Sequence, residues 1–279
     1  CPYDDRGMWH WGCPQLQLFV DGKCVCGMDS NHRRYLLTEA AAGESFTLHI
    51  KGLADAFYYR GKMRMRLFLQ VRRPEVEALY TDITVPLRAA AWMDTDSRER
   101  VEIIDKLNRA VSLLELGERP DSAAFRESVS AASRYLRGEL YGRREANAPV
   151  LHGIGHTHID VAWLWTYAVT RNKAARSFAT AVSLLKRNPD FLFMSSQPQL
   201  YQFVKEDAPD VYAQIKAFVR EGRWEPEGGM WVESDTNLVS GESLVRQFLY
   251  GKRFFREEFG VDNEILWLPD VFGYSAALP

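Results

Sequence analysis

Ten consecutive residues, His156-Thr157-His158-Ile159-Asp160-Val161-Ala162-Trp163-Leu164-Trp165, hold two imidazoles, a carboxylate and two indoles. Three of the six histidines in the chain lie between His152 and His158. A divalent cation such as zinc takes neutral imidazole nitrogens and carboxylate oxygens at about 2.0–2.2 Å. In extended backbone, residues i and i+2 point to the same side. His156, His158 and Asp160 therefore face one way, and Thr157 and Ile159 the other. An H-x-H or H-x-D pair placed this way offers two ligands to one ion, and further ligands must come from elsewhere in the chain. The helical H-E-x-x-H pair of thermolysin-like proteases is absent. A single histidine is more often bonded to backbone than to metal. Three histidines, an aspartate and two tryptophans packed between His152 and Trp165 argue for a site, because ionisable groups taken out of water need partners.

The elements around the cluster must hold it in place. Val150-Leu151-His152-Gly153-Ile154-Gly155 is short, apolar and punctuated by glycine, which predicts a buried strand ending in a turn. Beyond the cluster, Ala175, Phe178, Val182 and Leu185 recur at helical spacing. The cluster thus falls at the C-terminal end of a strand, where α/β sheets bind their ligands. The alternation continues downstream. Phe191-Leu192-Phe193-Met194 reads as a second strand, after a helix closed by Asn188-Pro189. A helix or helix pair runs through Val204, Val211, Ile215 and Val219, and Gly222–Gly229 contains a third strand. Ser240 caps a helix with the face Leu244, Phe248, Phe255 and Phe259. Glu264-Ile265-Leu266-Trp267-Leu268 reads as a fourth strand, delivering Pro269-Asp270 to the same sheet face as Asp160. Four βα steps predict a parallel sheet.

Residues 1–94 read as a β-sandwich-like domain. Asp21-Gly22 between Gln17–Val20 and Lys23–Val25 predicts a two-residue hairpin turn. Phe46, Leu48 and Ile50 alternate with polar neighbours, as do Met65, Leu67, Leu69 and Val71, so half-buried antiparallel strands are expected. Residues 95–148 read as a helical hairpin connector, with Val101, Ile104, Val111 and Leu114 on one helix. Phe125, Val129, Ala132, Leu136 and Leu140 lie on the other, and Gly142–Pro149 forms a polar linker. Residues 149–279 form an α/β domain.

Composition narrows the function. A net charge of −2 over 279 residues argues against a nucleic-acid partner, and no apolar run is long enough to cross a bilayer. No signal peptide opens the chain, so a cytoplasmic location is expected. The four cysteines, Cys1, Cys13, Cys24 and Cys26, are read as free thiols. The chain opens on Cys1 and closes on Pro279 directly after a motif, so both ends are expected to lie inside a longer protein. Homo-oligomerisation is left open.

Two segments carry a resemblance. Gly155–Trp163 together with Trp267-Leu268-Pro269-Asp270-Val271-Phe272-Gly273-Tyr274-Ser275 resembles the two signature motifs of glycoside hydrolase family 38, the class II α-mannosidases. Gly228–Glu233 and Ser240–Ser243 resemble the cytosolic-type branch of that family. The resemblance implies an irregular seven-stranded α/β barrel, here only its N-terminal part. It implies a metal, zinc or another divalent ion such as cobalt, bound by His158, Asp160 and Asp270. It implies Asp270 as the nucleophile that forms a covalent glycosyl-enzyme, Trp163 lining the sugar subsite, and mannose-containing oligosaccharides as substrate. The general acid and the fourth metal ligand are expected after Pro279, so this chain alone is expected to bind metal weakly and to turn over negligibly. His156 matches a motif position that is not a direct ligand. Glu225, Glu227, Glu233, Asp235 and Glu242 match no catalytic role and read equally as groups supporting the site or its subsites, or as solvated surface.

Two rival readings use the same residues. A metal-dependent amidohydrolase would take His156 and His158 together as an H-x-H pair with a strand-end aspartate. A non-catalytic carbohydrate-binding protein would use the β domain beside an inactive α/β part.

Overall fold

A computed structural model of the protein describes residues 15–29, 32–37, 41, 43–53, 66–142 and 149–276. The chain divides into two compact units, one formed by Cys1–Arg64 with His152–Pro279 and the other by Met65–Leu151.

The first unit opens with the expected hairpin. β1 (Gln15–Val20) and β2 (Lys23–Met28) pair antiparallel around Asp21 and Gly22, both with positive φ, as a tight turn of this kind requires. β3 (Leu48–Leu53) pairs with the other edge of β1. A sandwich needs a second sheet, and the described N-terminal residues contain only this one. Its covering layer is the long helix α4 (Tyr167–Arg187). Asn172 donates to Gln17, Arg176 to Gln15, and the Gly27 amide to Thr180. Period-two alternation marks a half-buried strand without saying whether a sheet or a helix covers it. Cys24 and Cys26 are free, and burial pushes both thiols up to about 12. Cys1 and Cys13 lie outside the described residues.

The α/β part alternates as the sequence predicts. β4 (Gly155–His156), β5 (Phe193–Ser195) and β6 (Trp224–Pro226) lie in that order, all parallel. They are joined by α4, then by α5 (Pro198–Asp207) and α6 (Pro209–Arg220), and followed by α7 (Gly241–Phe259). Ser240 caps α7 by accepting from the Ser243 amide. The predicted fourth strand is reduced to a single parallel bridge between Gly228 and Leu266. The predicted first strand is also shorter: pairing starts only at Gly155, and Val150 and Leu151 are exposed. The core lies between helices and sheet, around Phe178, Leu185, Tyr201, Val204, Ile215, Trp224 and Phe255, each with little or no exposed surface.

The second unit is helical. α2 (Arg98–Ser112) and α3 (Ala123–Leu136) form where expected, capped by Ser97 and Ser122, and α3 runs into a wider π-turn at Arg137–Tyr141. A third helix, α1 (Pro74–Ala90), replaces the β structure expected up to residue 94. Its signals are Pro74 at the first turn, Glu75 and Glu77 beside it, and an inward face of Val76, Leu79, Ile83, Pro86 and Ala90. The alternating stretch before it forms no strand: Leu67, Leu69 and Val71 are exposed in irregular chain, and Met65 lies outside the described residues. Alternation stabilises a strand only where one face finds a core. Most of the predicted linker, residues 143–148, also lies outside the described residues.

Candidate functional site

Three loops leave the C-terminal ends of β4, β5 and β6, and a fourth follows the Leu266 bridge. The first loop carries His158 and Asp160, and the fourth carries Asp270. His158 Nε2 lies 3.0 Å from Asp160 Oδ1 and 3.6 Å from Asp270 Oδ2. One donor atom from each of the three residues falls within 4.8 Å of the others. Two carboxylates and an imidazole with converging donor atoms form the ligand set that a divalent transition metal takes. Asp270 is the most exposed of the three, with 57% of its side chain accessible against 32% for Asp160 and 24% for His158. A cation bound here would therefore be approached from the Asp270 side.

His158 is also held from behind. Its Nδ1 lies 2.9 Å from Glu233 Oε2, and both atoms are buried. Glu233, aided by Asp160, pushes the imidazolium up to about 9 against the opposing effect of burial. A cation taking Nε2 displaces the proton there.

His156 is committed differently. Its Nδ1 contacts the Met194 carbonyl at 3.1 Å, and its Nε2 lies 3.3 Å from the Trp267 indole N–H. The indole can only donate, so Nε2 accepts and Nδ1 carries the proton. The two rings also pack edge to face at 5.3 Å. His156 thus fastens the first loop to β5 and to the Asp270 segment, with no lone pair left for a metal.

Side-chain bridges fix the remaining loop geometry. Gln197, which has φ 62, donates to the Ile159 carbonyl and accepts from the Glu233 amide. Thr236 receives the Ser275 amide on its hydroxyl and donates its own amide to the Gly273 carbonyl. A side chain at residue 273 would fall on the Asp235 carboxylate, which would have to move aside. Trp231 and Val232 are pinned to Gln247 on α7.

Trp163 is half exposed and packs edge to face against Trp165 at 5.3 Å. Trp165 donates to the buried Thr170 hydroxyl, which in turn donates to the Asp160 carbonyl. Of the other carboxylates, Glu227 accepts from the Ile265 amide, Asp235 from the amides of its own turn, and Glu242 pairs with Arg246 on the surface. Glu225 is exposed. Glu233 is the functional candidate that sequence reasoning left undifferentiated, because nothing in Trp231-Val232-Glu233 distinguishes a buried carboxylate from its acidic neighbours.

Lys173 lies beside the site, its amine 4.3 Å from the centre of the Trp165 ring. Burial, with Arg176 nearby, lowers its ammonium to about 8 from 10.5. The folded chain therefore holds this proton less tightly than the unfolded chain. The resulting penalty is present in full below about pH 8 and is relieved as pH rises towards 10.5. Relative to wild type, Lys173→Met should be most stable at pH 7 and lose that advantage by pH 10. Thermal melts across this range check it, and a pH-independent difference would contradict it.

Residues 148–279 match the model of the glycosyl hydrolases family 38 N-terminal domain. Over 94% of its length the chain is 35% identical to alpha-mannosidase 2C1 of Homo sapiens and 34% identical to that of Mus musculus. Over 99% of its length it is 29% identical to an alpha-mannosidase of Saccharomyces cerevisiae. It spans only about a quarter of each: 26% of the two mammalian proteins and 27% of the yeast one. Two separated motifs meeting at one cluster, the family match over the α/β part and these relatives agree: residues 148–279 are a glycosyl hydrolases family 38 N-terminal domain.

Proposed function

We propose that the protein carrying this chain hydrolyses terminal α-D-mannosides of oligosaccharides, with retention of configuration, at a metal centre built on His158, Asp160 and Asp270. The observation that carries this reading is the convergence of those three side chains, from loops far apart in sequence, in a domain of this family. The matched human and mouse relatives are both named alpha-mannosidase 2C1.

In this reading Asp270, the most exposed of the trio, meets the sugar. One of its carboxylate oxygens attacks the anomeric carbon as the bond to the leaving oxygen breaks, and water later releases mannose from the ester. The acid that protonates the leaving oxygen is assigned to no carboxylate of this chain. A divalent cation such as zinc or cobalt, held by the three residues, supplies a Lewis-acidic template for the sugar hydroxyls. Asp160 and His158 hold the site's inner wall, and the exposed Trp163 indole offers a flat apolar face to the pyranose. The amidohydrolase alternative needs His156 as a second histidine ligand, and both of its nitrogens are engaged with Met194 and Trp267. No described helix is long and apolar enough to cross a membrane. A cytoplasmic location is part of the same proposal.

The test uses the full-length protein. Metal analysis should find a stoichiometric divalent ion, and an aryl α-mannoside should be cleaved with α-mannose as the first-formed anomer by proton NMR. Chelation should abolish turnover, and zinc or cobalt should restore it. β-Mannose as first product, or turnover that survives complete removal of metal, would sink the mechanism. Metal binding without turnover would leave a binding protein.

A further inference from the structure

Glu233 is a carboxylate where a carboxylate is costly. Only 3% of its side chain is accessible. Removing an ionised carboxylate from water carries a penalty of several kcal/mol unless partners repay it. Two partners are present. Ser196 donates its hydroxyl to Oε1, and Oε2 lies 2.9 Å from His158 Nδ1. Among the described residues, neither His158 Nδ1 nor Glu233 Oε2 has a directed hydrogen bond, so each has only the other to answer it. The placement is over-determined by backbone as well. The Glu233 amide donates to Gln197 Oε1, and the amide group of the same Gln197 reaches the Ile159 carbonyl, next to His158. One residue at the end of β5 thereby sets the distance between the loop that carries Glu233 and the loop that carries His158.

This arrangement has a consequence for a ring that gives Nε2 to a cation. Its other nitrogen must keep a proton, and that N–H needs a fixed acceptor if the ring is to hold one tautomer and one orientation. We propose that Glu233 is the positioning residue for His158: it holds the imidazole with Nδ1 protonated and Nε2 aimed at the point shared with Asp160 and Asp270. The proposal rests on the metal reading above and goes beyond it, because Glu233 itself is not a ligand. Ser196 and Gln197 belong to the device as its anchors.

The experiment is metal titration of the full-length protein as wild type, Glu233→Ala and Glu233→Gln, by competition with a chromophoric chelator, alongside the visible absorption of the cobalt-loaded forms. Loss of such a supporting carboxylate weakens metal binding by about 10–100-fold. Glu233→Ala should show that loss. Glu233→Gln keeps a carbonyl acceptor without the charge, so it should fold as wild type and fall between the two. In both, the cobalt bands should shift, because the imidazole is no longer held at one angle. A merely structural role would lower the melting temperature of the metal-free protein and leave affinity and cobalt bands unchanged. That result in Glu233→Gln would overturn the proposal while leaving the metal centre standing. Failure of the wild type itself to bind zinc or cobalt would overturn both.

Discussion

Replacing Asp270 with alanine is expected to cut turnover of an aryl α-mannoside by at least about 10⁴-fold, the scale on which loss of a nucleophile is felt. The residue has two proposed roles at once: it supplies one of the three converging donors and it is the one that faces solvent. The loss must therefore be read at saturating metal, where the ligand role is compensated and the nucleophile role is not. A mechanism-based fluorinated mannoside gives the complementary reading. In the wild type it should leave its label on the peptide containing Asp270, detected by mass spectrometry, and Asp270→Ala should take none. Label on Asp160 or Glu233, or an alanine variant within tenfold of wild type, would remove Asp270 from the chemistry. His156→Ala should behave otherwise, costing loop alignment through Met194 and Trp267 rather than a ligand.

The largest expected loss of stability comes from Trp224→Ala. Trp224 is 1% exposed and packs edge to face or tilted against Phe178, Phe193 and Tyr201 with ring centres 5.2, 4.6 and 6.3 Å away. Its indole N–H donates to the Tyr201 hydroxyl, which donates to the Ser195 carbonyl at the end of β5. Emptying a buried tryptophan site costs about 3–5 kcal/mol, a large share of the roughly 5–15 kcal/mol that keeps a protein folded. Trp224→Phe retains most of the apolar contact and forfeits one hydrogen bond, worth about 1 kcal/mol. Urea unfolding of both variants should show that order. A loss below 1 kcal/mol for the alanine variant would mean that the core collapses around the gap. Because Trp224 sits in β6, and Ser195 immediately precedes the residues that clamp Glu233, this core is also the footing of the candidate site.

How much of this was legible in the sequence depends on the physical signal. Spacing of two placed His156, His158 and Asp160 on one side, and an apolar run ended on Asp270; that His158, Asp160 and Asp270 would share an ion was implied by the family resemblance alone. The Asp21-Gly22 turn and the Ser240 cap were readable for similarly local reasons. The reading failed where a local pattern had two solutions. Alternation from Met65 to Val71 suggested a strand that finds no core, and that expectation obscured the helical face of Val76, Leu79, Ile83, Pro86 and Ala90. The N-terminal strands were legible, whereas the helix that covers them was not, since either kind of layer accepts the same alternation. Glu233 and Gln197 were illegible for a deeper reason. Their roles arise from a contact between loops and from a positive φ, neither of which leaves a trace in residue spacing.

The three parallel strands pair over only two or three residues each. A ribbon that short is a poor lever: it can aim a loop but cannot stiffen one. Rigidity at the candidate site must therefore come from cross-bracing, with Gln197, Thr236 and His156 as struts between segments that the sheet barely joins. The assembly works as a truss rather than a plate. A disturbance at any strut changes the angle of the whole frame, even where no strut belongs to the candidate ligand set.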